Sequence, residues 1–137
     1  MRQLTLVALS ALLMVACSQT QSPLSASDVV VTQSVPGMPM SAGYFKLTNN
    51  SGQAISISHV TSPQFASVQM HETIIKDEVA RMVPLEMLNL QPGETVNFEP
   101  GGKHLMLMRP ADDIDSVTLD FFAGESLLLS VNTDFDR

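Results

Sequence analysis

Cysteine is nearly missing from this 137-residue chain. The single thiol, Cys17, excludes an internal disulfide and a cysteine-rich zinc site. Tryptophan is absent and tyrosine occurs once. Basic residues are scarce, with seven Lys and Arg against fourteen Asp and Glu, a net charge of −7. That excludes a general nucleic-acid binder, which needs a basic face to neutralise phosphates. Charged residues make up only 15% and apolar ones 45%, so the chain can bury a core and wholesale disorder is excluded. The length suits one domain and is too short for two ordinary ones. Against these deficits stand nine methionines, which serve proteins either as core filler or as soft-metal ligands.

The N-terminus reads as an address. Arg2 precedes an apolar run from Leu4 to Ala16, which has the make-up of a secretory signal and is too short to span a bilayer comfortably. Leu13-Met14-Val15-Ala16-Cys17 resembles a bacterial lipobox, with Met at a position where Leu is commoner. The resemblance implies removal of residues 1–16, lipidation of Cys17 and a membrane anchor in the cell envelope. Ser18, in place of Asp, favours the outer membrane, so the expected location is the periplasmic space. A soluble secreted protein is the plainer alternative. Loss of Arg2 with the signal would leave six basic against fourteen acidic residues, or −8. Residues 17–27, polar from Ser18 to Ser27, are expected to form a tether, and residues 28–137 the β domain.

From Asp28 onward the chain is expected to be all-β. Short runs with period-two alternation are separated by Asn49-Asn50-Ser51-Gly52, Gln91-Pro92-Gly93 and Pro100-Gly101-Gly102, whose residues favour turns. The expected strands are Val29–Thr32, Gly43–Thr48, Ala54–Val60, Phe65–Ile75, Thr95–Phe98, Lys103–Arg109, Ser116–Phe122 and Ser126–Thr133. Strands spaced this closely suggest an antiparallel sandwich or a small Greek-key barrel in a single domain. Alternation also assigns faces. Leu105 and Leu107 share one face of their strand, and His104, Met106 and Met108 the other. Val68 and Met70 point one way, and Gln69, His71 and Thr73 the other. A core built on Leu105, Leu107, Val68 and Met70 leaves both histidines on outer faces beside methionine.

Three histidines are present. His59 alternates with serines and reads as a plain exposed strand residue. His71 and His104 belong to a spaced set, His71-x10-Met82-x21-His104-x-Met106. With the histidine and methionine frequencies of this chain, chance would give on the order of 10⁻⁴ such matches per sequence. The segment Lys76–Arg81 reads as a turn and returning strand that folds Met82 back beside His71. Thioether sulfur is soft and uncharged and prefers Cu(I), whereas imidazole tolerates Cu(I) and Zn(II) alike. Such a set suits an oxidising compartment, where thiolates are lost to disulfides. Met38, Met40, Met70 and Met87 read as core or loop cover, while Met108 shares the face of His104 and Met106, and its place on the strand alone does not choose between Met106 and Met108 as the fourth ligand. Glu72 is placed either to accept a histidine N–H or to be solvated.

This spacing resembles the copper-binding signature of the PCuAC family, periplasmic copper chaperones once catalogued as a domain of unknown function. Met70-His71-Glu72-Thr73, Pro100–Leu107 and Ala42–Asn49 carry the likeness, which runs from about Val29 to Val131. It implies a cupredoxin-like β-barrel, a Cu(I) site at His71, Met82, His104 and Met106, and delivery of copper by ligand exchange. The implied acceptor is a copper-accepting protein of cytochrome c oxidase assembly, at the CuA centre or through a Sco-type thiol protein. Asp77-Glu78 departs from relatives that carry glycine in that turn, which implies an altered turn with the site retained. The chain has no His/Met-rich tail, so a second, Cu(II)-type site is not implied.

An enzyme is the competing class. A copper oxidase would want a cysteine thiolate or a set of three histidines with an open position, and neither is expected once Cys17 is lipidated. Hydrolase chemistry would need a recognisable nucleophile–base motif, and the sequence shows none, so the chain is read as a non-enzyme. The third class is an Ig-like envelope binding module with an adaptable methionine face.

Overall fold

The computed structural model describes residues 22–33 and 37–136. Among them there is no helix, and the expected all-β class holds. The strands are β1 (Leu24–Gln33), β2 (Met40–Asn49), β3 (Ile55–Ile57), β4 (His59–Thr61), β5 (Phe65–Lys76) and β6 (Val79–Pro84). They continue with β7 (Leu88–Leu90), β8 (Thr95–Phe98), β9 (Lys103–Pro110), β10 (Ser116–Ala123) and β11 (Ser126–Asp136). Nine form one sheet in the order β4-β10-β11-β1-β2-β8-β9-β5-β6, with β2 also pairing β9, and β3 pairs β7 separately. Pairing is antiparallel except for β1–β11 and β8–β9.

The sheet folds onto itself because every long strand has one apolar face. In β10, Val117, Leu119 and Phe121 are fully buried, alternating with Ser116, Thr118 and Asp120. In β9 the buried pair is Leu105 and Leu107, and Leu105 lies opposite the buried Met70 of β5. Phe121 meets Phe45 of β2 edge-on at 5.4 Å, and Phe65 of β5 meets Phe135 of β11 at 6.1 Å. These contacts join the two halves of the sheet into a two-layered sandwich around one core.

Three differences from the sequence reading have local causes. The run Ala54–Val60 is two strands, because Ile57 and Val60 are both buried and three residues apart, which period two cannot provide. The break falls at Ser58, whose N–H donates to Phe122 O at 2.8 Å. β1 begins at Leu24, inside the stretch expected to be tether; Leu24 is fully buried and pairs with Asn49, so the polar text around it conceals a strand. Residues 1–21, with the signal and Cys17, lie outside the described residues. β7 was not anticipated; it is three residues long and buries Leu88 and Leu90.

Two turns set the site. Glu99-Pro100-Gly101-Gly102 is a type II turn, closed by Gly102 N–H to Glu99 O at 3.0 Å, with Gly101 at φ 80°. Asp77-Glu78 joins β5 to β6 as a two-residue loop, with Lys76 opposite Val79 and φ of 53° and 63°. Positive φ at both loop residues is the type I′ conformation, whose twist matches that of a hairpin.

Candidate metal centre

His71 of β5 and His104 of β9 are directly opposite in the antiparallel register, so both rings leave the same face of the sheet. The rings meet edge to face, with centroids 5.8 Å apart and planes at 86°. This face is the outer one, since Leu105 and Met70 occupy the other. Met106 follows two residues after His104 on the same face, opposite Gln69 on one side and Ala42 on the other. The β5–β6 hairpin places Met82 opposite Thr73, two pairs along from His71 and so on the same face. All four residues of the spaced set therefore emerge on one face, through the register of the three strands β6, β5 and β9.

They differ in surroundings. His104 is buried, at 7% exposure, while Met82, on the strand at the sheet edge, is 63% exposed. Met82, His104 and Met106 line one cleft of about 230 Å³ together with Thr73, Met40 and Tyr44. His71 does not line it; this histidine borders a neighbouring depression with His59, Gln69 and Glu86. His71 thus stands at the boundary between two concavities, edge-on to the His104 ring.

Hydrogen bonds decide which ring nitrogens are free. His104 Nδ1 is 3.1 Å from Gly102 O, and a carbonyl only accepts, so Nδ1 carries the proton and Nε2 keeps its lone pair. The same carbonyl accepts the Thr73 N–H at 3.0 Å, which ties the type II turn to β5. His71 Nε2 is 3.1 Å from Gln69 Oε1, so Nε2 donates and Nδ1 keeps its lone pair. That Nδ1 is buried and has no partner among the described residues. A buried acceptor without a partner costs free energy unless something else satisfies it. Burial first, and the neighbouring His104 second, hold the pKa of His71 below its ordinary 6.5, which keeps its imidazole neutral.

The donor set is soft. Among the described residues no three His, Cys, Asp or Glu side chains gather closely enough to hold a metal ion. Glu72 does not reach the histidines, because it lies on the opposite face in an ion pair with Lys103 at 2.8 Å. Its supposed role as a histidine acceptor is filled by Gln69 and by the Gly102 carbonyl. Gln69 could have been found in the sequence, since i−2 on a strand shares a face. The carbonyl role could not. Met40, read as core or loop cover, instead lines the cleft, whereas Met70 is core as expected and Met38 and Met87 are exposed. His59 is exposed as expected, and stacks on Phe122 with ring centroids 4.8 Å apart.

Comparison with known proteins places this architecture among the PCuAC domains. The copper-bound PCuAC domain from PmoF2 superposes with a TM-score of 0.61 at 20% identity, covering 83% of this chain and 91% of that one. The CuI-DR1885 solution structure from Deinococcus radiodurans gives 0.56 at 25% identity, covering 89% of this chain and 82% of that one. The cupredoxin-like fold class is thereby the one the sequence led to expect.

The chain itself belongs to the LpqE-like family, described as "Putative lipoprotein LpqE-like", whose model matches residues 24–132. Protein RP573 of Rickettsia prowazekii is 30% identical over 96 residues, or 67% of this chain. This chain spans about half of that relative, 53% of its length.

Proposed function

We propose that this protein is an envelope copper chaperone that carries one Cu(I) as cargo between His71, Met82, His104 and Met106. The observation that carries the reading is the buried, unpartnered Nδ1 of His71, its ring edge-on to the His104 ring whose Nε2 keeps its lone pair, on a sheet face that also carries the thioethers of Met82 and Met106. Two neutral imidazoles and two thioethers match the preference of Cu(I) and offer Zn(II) too few borderline or hard donors. The copper-bound members among the PCuAC structures support the same reading.

The chain's own residues have separable tasks. The Gly102 carbonyl and Gln69 orient the two rings, as hydrogen-bonded partners of metal-binding histidines generally do. Met82, on an edge strand and open to solvent, is the thioether best placed to leave when an acceptor's thiolate or imidazole enters. Release by ligand exchange suits a carrier, and the proposed acceptor is a protein of cytochrome c oxidase assembly, either a CuA-bearing subunit or a Sco-type thiol protein. Among the described residues, neither His71 nor His104 is hydrogen-bonded to a hydroxyl or carboxylate, which favours a binding protein over an enzyme. Membership of a lipoprotein family supports an anchor through Cys17, with the domain held in the periplasm at a membrane, the outer one by its Ser18.

The test is Cu(I) competition against a coloured chelator. The full chain carrying Cys17→Ser, which removes the competing thiol, is compared with the same chain also carrying Met82→Leu and Met106→Leu. One Cu(I) per chain is expected, weakened more than tenfold by the two leucines, with Zn(II) a poor competitor. Binding indifferent to both methionines would overturn the reading.

A further inference from the structure

The outer face of the sheet carries more thioether sulfur than the four-residue set uses. Met40 of β2 is directly opposite Met108 of β9, and Ala42 is directly opposite Met106. Met106 and Met108 are two residues apart on one strand and so share that face. Met40, Met106 and Met108 therefore occupy adjoining positions, with the small Ala42 in the remaining corner. Direct antiparallel neighbours have Cβ atoms about 4.5–5.5 Å apart, and methionine's three rotatable bonds let sulfurs at such positions converge.

Core packing does not explain these residues. The inner face of the same strands is filled by Leu105, Leu107 and Phe45, all buried. Met40, Met106 and Met108 are each half-buried on the opposite side, and Met40 and Met106 line the same cleft as Met82 and His104. The cross-strand partners of Met106 and Met108 on β5 are Gln69 and Ser67, both neutral. No carboxylate is among these cross-strand partners, so nothing in the register favours a hard divalent cation. The pattern is already visible as two Met-x-Met sequences, Met38-Pro39-Met40 and Met106-Leu107-Met108, brought together by the β2–β9 register.

We infer that Met40 and Met108, with Met106 shared, form a second, thioether-only station for a soft monovalent d10 ion, adjoining the His71/His104 site. Lacking imidazole, it binds more weakly than the first site and fills after it. Its position along the cleft makes it a place where cargo waits on entering or leaving. The inference extends the proposed function, but its two distinguishing ligands, Met40 and Met108, are not among the four of that site.

The experiment titrates Ag(I), a soft ion that needs no reductant, into the full Cys17→Ser chain labelled with 13C at the methionine methyl groups. The first equivalent is expected to shift Met82 and Met106, and the second to shift Met40 and Met108. In Met40→Leu/Met108→Leu the second equivalent disappears while the first is retained within about twofold, which also shows that the variant folds. Unmoved Met40 and Met108 signals beyond one equivalent would overturn the inference, as would a second equivalent that survives both leucines. Failure of the first site reads differently, as a silent Met82 while Met40 and Met108 still respond.

Discussion

Replacing Gly101 and Gly52 by alanine, one at a time, makes the same chemical change at two turns and should give stability changes of opposite sign. A Cβ built at either position meets no atom within 4 Å, so neither substitution is opposed by a clash. The difference lies in the backbone. Gly101 sits at φ 80°, the third residue of the type II turn, whereas Gly52 has no positive φ. In both variants alanine restricts the unfolded chain, stabilising the fold by roughly 0.4–1 kcal/mol where the native backbone accepts it. That contribution is common and cancels in the comparison. At Gly101 alone the left-handed conformation costs alanine about 1–2 kcal/mol. Gly52→Ala is therefore expected to gain about 0.5 kcal/mol and Gly101→Ala to lose about 0.5–1 kcal/mol. The separation of about 1–2 kcal/mol corresponds to several degrees in Tm for a domain of this size. Urea denaturation of the apo chain followed by far-UV circular dichroism resolves it. Two variants of the same sign, or within 0.3 kcal/mol of each other, would refute the assignment of this turn. The cost at Gly101 should also reach the site, because Gly102 O holds both His104 Nδ1 and the Thr73 N–H. Gly101→Ala should lower Cu(I) affinity by a few-fold, and Gly52→Ala should leave it unchanged.

Three other perturbations probe different parts of the structure. The pKa of His71 is lowered on folding from 6.5, so the unfolded chain binds the proton first as pH falls; this contribution to stability is full above about pH 6.5 and is lost on acidification below it. His71→Gln should therefore flatten the stability difference between pH 7.5 and pH 5.5 in the apo chain, and an unchanged slope would count against burial of this ring. Glu78, at φ 63° in the β5–β6 turn, is a residue that gains from glycine; Glu78→Gly should stabilise by up to about 1 kcal/mol in thermal denaturation and leave the register of Met82 intact. Asn49 is fully buried and its Nδ2 lies 2.7–3.2 Å from the carbonyls of Gln53, Leu90 and Gln91, so Asn49→Ala should cost about 3 kcal/mol in a denaturant series.

The parts of this molecule that could be read from its sequence are those governed by strict alternation. β9 and β5 carried their faces openly, because Leu105 and Leu107 alternate with His104 and Met106, and Val68 and Met70 with Gln69 and His71. Period two alone put both histidines on outer faces; only the register put them opposite each other, and register depends on two different strands at once. The spacing from His71 to Met82 made sense as a hairpin, and the two-residue loop at Asp77-Glu78 performs it despite the absence of glycine, at a conformational cost borne by Glu78. Where alternation failed, so did the reading. Ser58 splits one apparent strand because the core claims Ile57 and Val60 together, and Leu24 is buried within text as polar as a linker. Met40 was the most consequential of these. It opens β2 ahead of the more regular stretch from Gly43, so its face could not be assigned until β2 was set against β9. That pairing turns a methionine that looked like filler into part of the cleft, and it makes the second thioether station a question about register as much as about copper. A substitution that slips β2 against β9 by one residue would carry Met40 and Ala42 to the inner face and leave His104 and Met106 where they are. The proposed second station would be lost and the first retained.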